Sequence, residues 1–290
     1  MIKIGAYGFW KTDLHELNDL IFRFLFPNTR ISLTIDINQY NKNDINFIGD
    51  WFLFYNINDI KNYLSTFNLN IPAVRFSWES ELTRSIRYKN ADLFFNQCKY
   101  KFYVGYFNGN NSIYFPSWIT FAHELLSTSH KQYNNFEERY ENWICDMTYN
   151  MSVPEREQFY KLINSKRVKT EYGHYDGNDR HNKLEVLSHY LFNACFENTF
   201  ELGYITEKPV EALMAGCIPI YNGIFRTDIP NIFNTNKIHF VDYKNLHLYD
   251  AETFRSFDKA LLKDVFQMPI LKDGYEYHLN EIIESLKFKL

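Results

Sequence analysis

The chain has little that points to a membrane, a secretory route or a nucleic acid. No stretch of its 290 residues reaches the roughly 18 consecutive apolar residues that a membrane-spanning helix needs. The start, Met1 to Trp10, carries Lys3, Gly5 and Gly8 without a long apolar run, so a secretory signal is not expected. There is no basic excess: 31 Lys and Arg stand against 35 Asp and Glu, for a net charge of −4. A nucleic-acid binder normally shows a basic surplus, although a small anionic ligand needs only a few placed cations. Cysteine is scarce and unpaired in sequence. Cys98, Cys145, Cys195 and Cys217 form no C-x-x-C motif, and three of them sit in apolar, strand-like runs. Buried, reduced thiols in a cytosolic protein are expected, in place of a disulfide or a zinc site.

Several catalytic signatures are also missing. There is no G-x-G-x-x-G, no P-loop, no H-E-x-x-H and no G-x-S-x-G. Nor is there an Asp-x-Asp pair, the usual grip on a metal-bound diphosphate. His123-Glu124 reads as a polar helix face. What is present is enough apolar material, 46%, to build a core, and a length that fits about two domains. The 27 Phe and 22 Tyr accompany abundant Asn, Ile and Lys, as in an AT-rich genome; core packing is their expected use.

Strand and helix patterns alternate. Ile2–Tyr7, Arg30–Ile37, Ala73–Trp78 and Ala91–Asn96 read as strands, and Asp13–Phe26 as a helix with Leu14, Leu17, Ile21, Phe24 and Leu25 at helical spacing. The Asn-rich stretch Asn41–Asn70 fits neither pattern clearly. Beyond a polar boundary at Phe136–Asn142 the rhythm is plainer. Strands are expected at Trp143–Tyr149, Val168–Glu171, Leu191–Glu197, Cys217–Tyr221 and Ile238–Tyr243. Helices are expected from Pro154 to about Asn164, over Lys183–Tyr190, Thr206–Ala215 and Asp250–Phe266, and over Tyr275–Lys287. Ser152-x-x-Glu155 forms a capping box, and Gly216 ends its helix in the left-handed position. This βαβ order predicts parallel sheets. The domains are expected as 1–140, 141–270 and a C-terminal helix over 271–290.

The most informative segment runs Phe196-Glu197-Asn198-Thr199, then Gly203-Tyr204-Ile205-Thr206-Glu207-Lys208, and ends at Gly216-Cys217-Ile218-Pro219-Ile220-Tyr221. It reads as strand, loop, helix, strand. Free N–H groups and the dipole at the helix start favour an anion there. Lys208 lies in that first turn, where a lysine opposes the dipole unless an anion is bound. The same residues also suit a plain helix cap, with Thr206 as cap, Glu207 friendly to the dipole and Pro209 where no N–H is needed. Arg156 stands in the first turn of its own helix; its donor fork suits a phosphate, and a surface arginine is the alternative.

This segment closely resembles the α1,3/1,4-fucosyltransferases of glycosyltransferase family 10, whose signature runs F-E-N-S/T, G-Y-V/I-T-E-K and I-P-I/V-Y-x-G. Upstream, Asn150 with Arg156-x-x-Phe159 resembles the family's S-N-x-x-x-x-x-R-x-x-F segment, and Lys183 with Tyr190-Leu191-Phe192 its K-x-x-x-x-x-x-Y-K-F run. The resemblance is specific over about Trp143–Gly223. It is looser in the first half, where Trp78-Glu79-Ser80 resembles an E-S-P motif with Glu81 in place of the proline, and Tyr114-Phe115-Pro116 a later segment.

The resemblance implies an α/β fold of the GT-B class, two Rossmann-like domains facing a central cleft. It implies transfer of fucose from GDP-fucose, with inversion, to a hydroxyl of a glycan acceptor. By the same resemblance Arg156 and Lys208 grip the diphosphate with Tyr204 beside it, Asn198 lines the pocket and Glu207 holds the ribose or sugar. Glu79 is the general base, with Glu81 as its rival. No cofactor is required and a divalent metal is not essential. Partners are the GDP-sugar donor and the glycan acceptor, with no nucleic acid and no transmembrane segment. With no stem or anchor in the sequence, a cytoplasm is expected, either bacterial or that of a virus-infected host cell. Pro209 and Asn222 depart from the family, which usually has an aliphatic residue and a Trp there. Another GDP-linked or nucleotide sugar, and a non-catalytic carbohydrate- or nucleotide-binding protein, are the alternatives.

Overall fold

The computed structural model describes residues 1–9, 22, 26, 28–50, 57–107, 112–115, 118, 135–142, 144–146, 154–163, 170–172, 180–225, 232–274, 276–277, 280–281 and 284. The chain divides into two compact units, Met1–Thr120 with Leu279–Leu290, and Phe121–His278. Most of the helix expected over Asp13–Phe26 and most of that over Tyr275–Lys287 lie outside the described residues.

Among its described residues the first unit is built on six strands: β1 (Ile2–Tyr7), β2 (Ile31–Thr34), β3 (Ile45–Ile48), β4 (Ala73–Ser77), β5 (Lys101–Gly105) and β6 (Ser112–Tyr114). Their order is β2-β1-β3-β4-β5-β6, and every neighbouring pair is parallel. Parallel strands need crossovers, supplied in part by helices α1 (Ile57–Thr66), α2 (Glu81–Arg87) and α3 (Lys89–Phe95). β3 and β4 are buried along their whole length, as strands covered on both faces must be. Aromatic side chains fill this core. Tyr40 stacks on Phe67 at 4.4 Å, beside Phe94, Phe95 and Tyr7.

One expected strand is a helix. Ala91, Phe94 and Phe95 are buried on one face of α3, with the three-and-four spacing of a helix, and their apolar run resembles a short strand only when read linearly. The ambiguous Asn-rich stretch contains a 3-10 turn at Ile37–Lys42 as well as β3 and α1.

Among the described residues the second unit has five parallel strands: β7 (Ile144–Asp146), β8 (Thr170–Tyr172), β9 (Phe192–Ala194), β10 (Ile218–Tyr221) and β11 (His239–Phe240), in the order β11-β10-β9-β7-β8. Its helices are α4 (Phe136–Glu141), α5 (Pro154–Ile163), α6 (Arg180–Leu187), α7 (Glu207–Met214), α8 (Ala251–Arg255) and α9 (Lys259–Gln267). The single helix expected over Asp250–Phe266 is interrupted, because Asp258 turns its carboxylate onto the Ala260 and Leu261 N–H groups and starts α9 afresh. Gly216 ends the α7 segment at φ 80°, where a Cβ would come within 3.0 Å of the Arg139 guanidinium.

Both sheets share one topology. The first strand of each unit is flanked by its second on one side and its third on the other, so each has a switch point, at β1/β3 and at β7/β9. Ligands of such sheets bind outside the carboxyl ends of the strands at that point. Among the described residues no helix is long and apolar enough to cross a membrane.

Candidate functional site

β9 lies at the switch point of the second unit, and the chain leaves its carboxyl end through Cys195, Phe196 and Glu197. Glu197 is 1% exposed, so its carboxylate depends on internal donors. Oε1 accepts the Thr206 N–H at 2.8 Å and the Tyr221 hydroxyl at 2.8 Å. Oε2 accepts the Thr206 hydroxyl at 2.7 Å and the Lys208 ammonium at 3.3 Å. The Glu197 N–H donates to Asn222 Oδ1 at 2.9 Å. One buried carboxylate thereby ties the carboxyl ends of β9 and β10 to the start of α7.

The loop between them turns at Gly203, φ 79°, whose N–H donates to Ile224 O at 2.9 Å. Thr206 caps α7 in extended backbone conformation, and Pro209 occupies the first turn where a missing N–H costs nothing. The Lys208 ammonium sits over this end. It donates to Thr206 Oγ1 at 2.9 Å and pairs with Glu197 and, at 3.5 Å, with Glu207 Oε1. The sequence suggested a cation without a local counter-charge; the fold supplies two carboxylates. Burial would raise the pKa of Glu207, but the Lys208 and Lys183 charges override it and pull it down to about 2. The side chain is 36% exposed, so solvent screens part of that pull. Lys208 is in turn raised, because Glu207 and Glu197 outweigh the burial that would lower it.

Arg156 is 3% exposed on α5, and its Nε and Nη2 face the same loop. Nε donates to Phe196 O at 3.0 Å and Nη2 to Asn198 Oδ1 at 2.6 Å. This edge of the fork, expected on a phosphate, holds the loop and orients the exposed Asn198. Tyr204 is 3% exposed on the same loop. Arg156, Asn198, Tyr204, Glu207 and Lys208 are therefore gathered around the end of β9 and the start of α7. Behind them Lys183 of α6 pairs with Glu211 of α7 at 2.5 Å, both buried. Ser152, of the expected capping box, lies outside the described residues.

Glu79 belongs to the first unit. It is partly buried, just past the carboxyl end of β4. Glu81 is exposed in the first turn of α2, behind the Ser80 cap, where a carboxylate complements the helix dipole.

Residues 134–259, which contain every one of these groups except Glu79 and Glu81, match the model of the glycosyltransferase family 10 (fucosyltransferase) C-terminal domain. The chain is 36% identical over 115 residues to the α-(1,3)-fucosyltransferase FucT of Helicobacter pylori, covering 39% of this chain and 22% of that one. It is 24% identical over 200 residues to a protein of Acanthamoeba polyphaga mimivirus named as a fucosyltransferase, covering 62% and 32%. The chain thus spans a third or less of the length of these relatives. An α1,3-fucosyltransferase crystallised with GDP superposes with a TM-score of 0.64 at 19% identity, over 99% of this chain and 90% of that one. An α-glucosyltransferase in complex with UDP gives 0.61 at 13%, over 99% and 100%. The fold is that of the GT-B glycosyltransferases.

Within residues 134–259, Glu197, Tyr221 and Asn222 were not singled out as site residues from the sequence. Glu197 stood in the quoted motif, but its partners lie nine, eleven and 24 residues away, visible only once β9 and β10 are adjacent. Asn222, a departure from the family pattern, closes the end of β9 through the Glu197 N–H.

Proposed function

We propose that the protein is an inverting glycosyltransferase that moves fucose from GDP-fucose to a hydroxyl of a glycan. The observation that carries this is the Lys208 ammonium held at the capped start of α7 by the buried Glu197, within the residues that match the family 10 model. A helix start with an added cation suits the diphosphate of a nucleotide sugar. In this reading Lys208 takes the charge of the leaving diphosphate, supported by the Arg156 charge, with Tyr204 and Asn198 beside it. Glu207, ionised at neutral pH, faces the ribose or the sugar.

During transfer the acceptor oxygen bonds to the anomeric carbon as the bond to the diphosphate breaks, and GDP leaves with the electron pair. Glu79 takes the hydroxyl proton. These cations, with the α7 amides, do the work that a metal held by Asp-x-Asp does elsewhere, so a divalent ion is not essential. The buried thiols of Cys98, Cys195 and Cys217 suit a reducing compartment, such as a bacterial cytoplasm or that of a virus-infected host cell. Incubation with GDP-fucose and a panel of glycans tests the proposal: acceptor-dependent release of GDP is expected. A protein that binds GDP and never turns over GDP-fucose would be a binding protein instead.

A further inference from the structure

The peptide of Glu79 is held from both sides. Its N–H donates to Ser77 Oγ at 3.1 Å. Its carbonyl accepts the Arg84 Nη1 at 2.6 Å, and the same Nη1 donates to Tyr106 O at 2.8 Å. Glu79 follows β4 and Tyr106 follows β5, so Arg84 joins the carboxyl ends of two adjacent strands. Arg84 is 6% exposed and lies over the Phe107 ring at 4.1 Å, which fixes the guanidinium plane. Ser77 is fixed in turn. Its hydroxyl donates to Asp50 Oδ2 at 2.7 Å, and Asp50 pairs with the fully buried Arg75 at 2.8 Å. The two strands approach closely here, since a Cβ on Gly105, φ 121°, would fall 1.8 Å from Ser77 O.

A connection that only joined β4 to α2 would need none of this. Buried arginine is costly to desolvate, and here its Nη1 ties the peptide that carries the Glu79 carboxylate to the Tyr106 carbonyl on the neighbouring strand end. We propose that Arg84 and Ser77 are positioning residues for Glu79, clamping its peptide so that the carboxylate is presented at a fixed point at the carboxyl edge of the sheet. This rests on the reading of Glu79 as the base. Small displacements of a reacting group are expensive, on the order of a hundredfold in rate for about 1 Å.

The test compares Arg84→Met, Arg84→Lys and Ser77→Ala in turnover at saturating donor, in GDP affinity by calorimetry, and in the Glu79→Gln background. Turnover is expected to fall about tenfold or more in Arg84→Met and by a lesser factor in Ser77→Ala, with GDP affinity kept within about twofold, as for displaced catalytic groups. Arg84→Lys, which keeps a donor, should recover part of the loss. In the Glu79→Gln background neither change should lower turnover further, because the group they position is gone. If Arg84→Met does not fold, Ser77→Ala and Arg84→Lys carry the comparison. A dead Glu79→Gln enzyme beside unaffected Arg84 and Ser77 variants overturns the clamp alone. A further loss of equal factor in the Glu79→Gln background also overturns it, since the residues would then be merely structural. An active Glu79→Gln enzyme overturns the base reading and the clamp together.

Discussion

Glu197 Oε2 and Lys208 Nζ lie 3.3 Å apart, the carboxylate fully buried and the ammonium 20% exposed. Lys208 is therefore a structural counter-ion as well as the candidate phosphate cation. A lysine at a helix start, taken alone, opposes the dipole and could be removed without loss. Beside Glu197 it cannot. Lys208→Ala should lower apo stability by about 1–3 kcal/mol, the cost of a buried acceptor that loses a partner. It should also lower turnover by about 3–4 kcal/mol, on the order of a few hundredfold. Glu197→Gln on top of Lys208→Ala should restore stability without restoring activity. Denaturant melts and turnover of the three proteins check this; equal stability of Lys208→Ala and wild type would contradict it.

The two candidate bases separate by substitution. Glu79→Gln keeps shape and hydrogen-bonding reach and removes the proton acceptor, so GDP binding should persist while transfer falls by about a hundredfold or more. Glu81→Gln, exposed behind the Ser80 cap, should stay within a few tenths of a kcal/mol in stability and near full activity. Steady-state kinetics of both variants decide the matter. An active Glu79→Gln with a dead Glu81→Gln moves the base by two residues.

His239 of β11 is packed against Phe257 at 5.1 Å and Phe254 at 5.6 Å, and its buried Nε2 has no hydrogen-bond partner among the described residues. Burial lowers its pKa. As pH falls below about 6.5 the unfolded chain takes up a proton that the folded His239 refuses, so folding stability declines with it. His239→Phe should be at least as stable as wild type at pH 7 and should lose less stability between pH 7 and pH 5. Urea melts across that range measure it. An unchanged pH slope in the variant would contradict the assignment.

Transfer should survive chelation. On the proposed reading Lys208 and the α7 amides carry the diphosphate charge without a metal bridge, so activity in excess EDTA should stay within about threefold of the untreated enzyme, well short of the loss of a transition-state charge partner. Abolition by EDTA with recovery on adding manganese or magnesium would show that a metal carries the diphosphate charge.

Much of this was legible in the sequence because local signals agreed with the fold. β1 spans Ile2–Tyr7 as expected, and α7 begins at its Thr206 cap, with Gly216 turning the chain just past its end. Regions set by distant contacts were not. α3 hides a buried helical face in an apolar run, and the break before α9 depends on Asp258 capping a new start. In the site, the cation and the cap could be named from spacing, but the anion that holds them could not. Glu197 pairs across two strands with Tyr221, and the Arg156 fork closes on the Phe196 carbonyl, 40 residues on.

The most direct test of the donor site is nucleotide-dependent stabilisation of wild type and Lys208→Ala, read as thermal shifts with GDP, UDP and guanosine. GDP at about a hundred times its dissociation constant should add about 2.7 kcal/mol to the wild type. Guanosine, lacking the diphosphate, should add little, UDP less than GDP, and Lys208→Ala should lose most of the GDP effect. A shift with UDP larger than with GDP would move the protein to another donor. A GDP shift that Lys208→Ala leaves intact would contradict the diphosphate site at the start of α7.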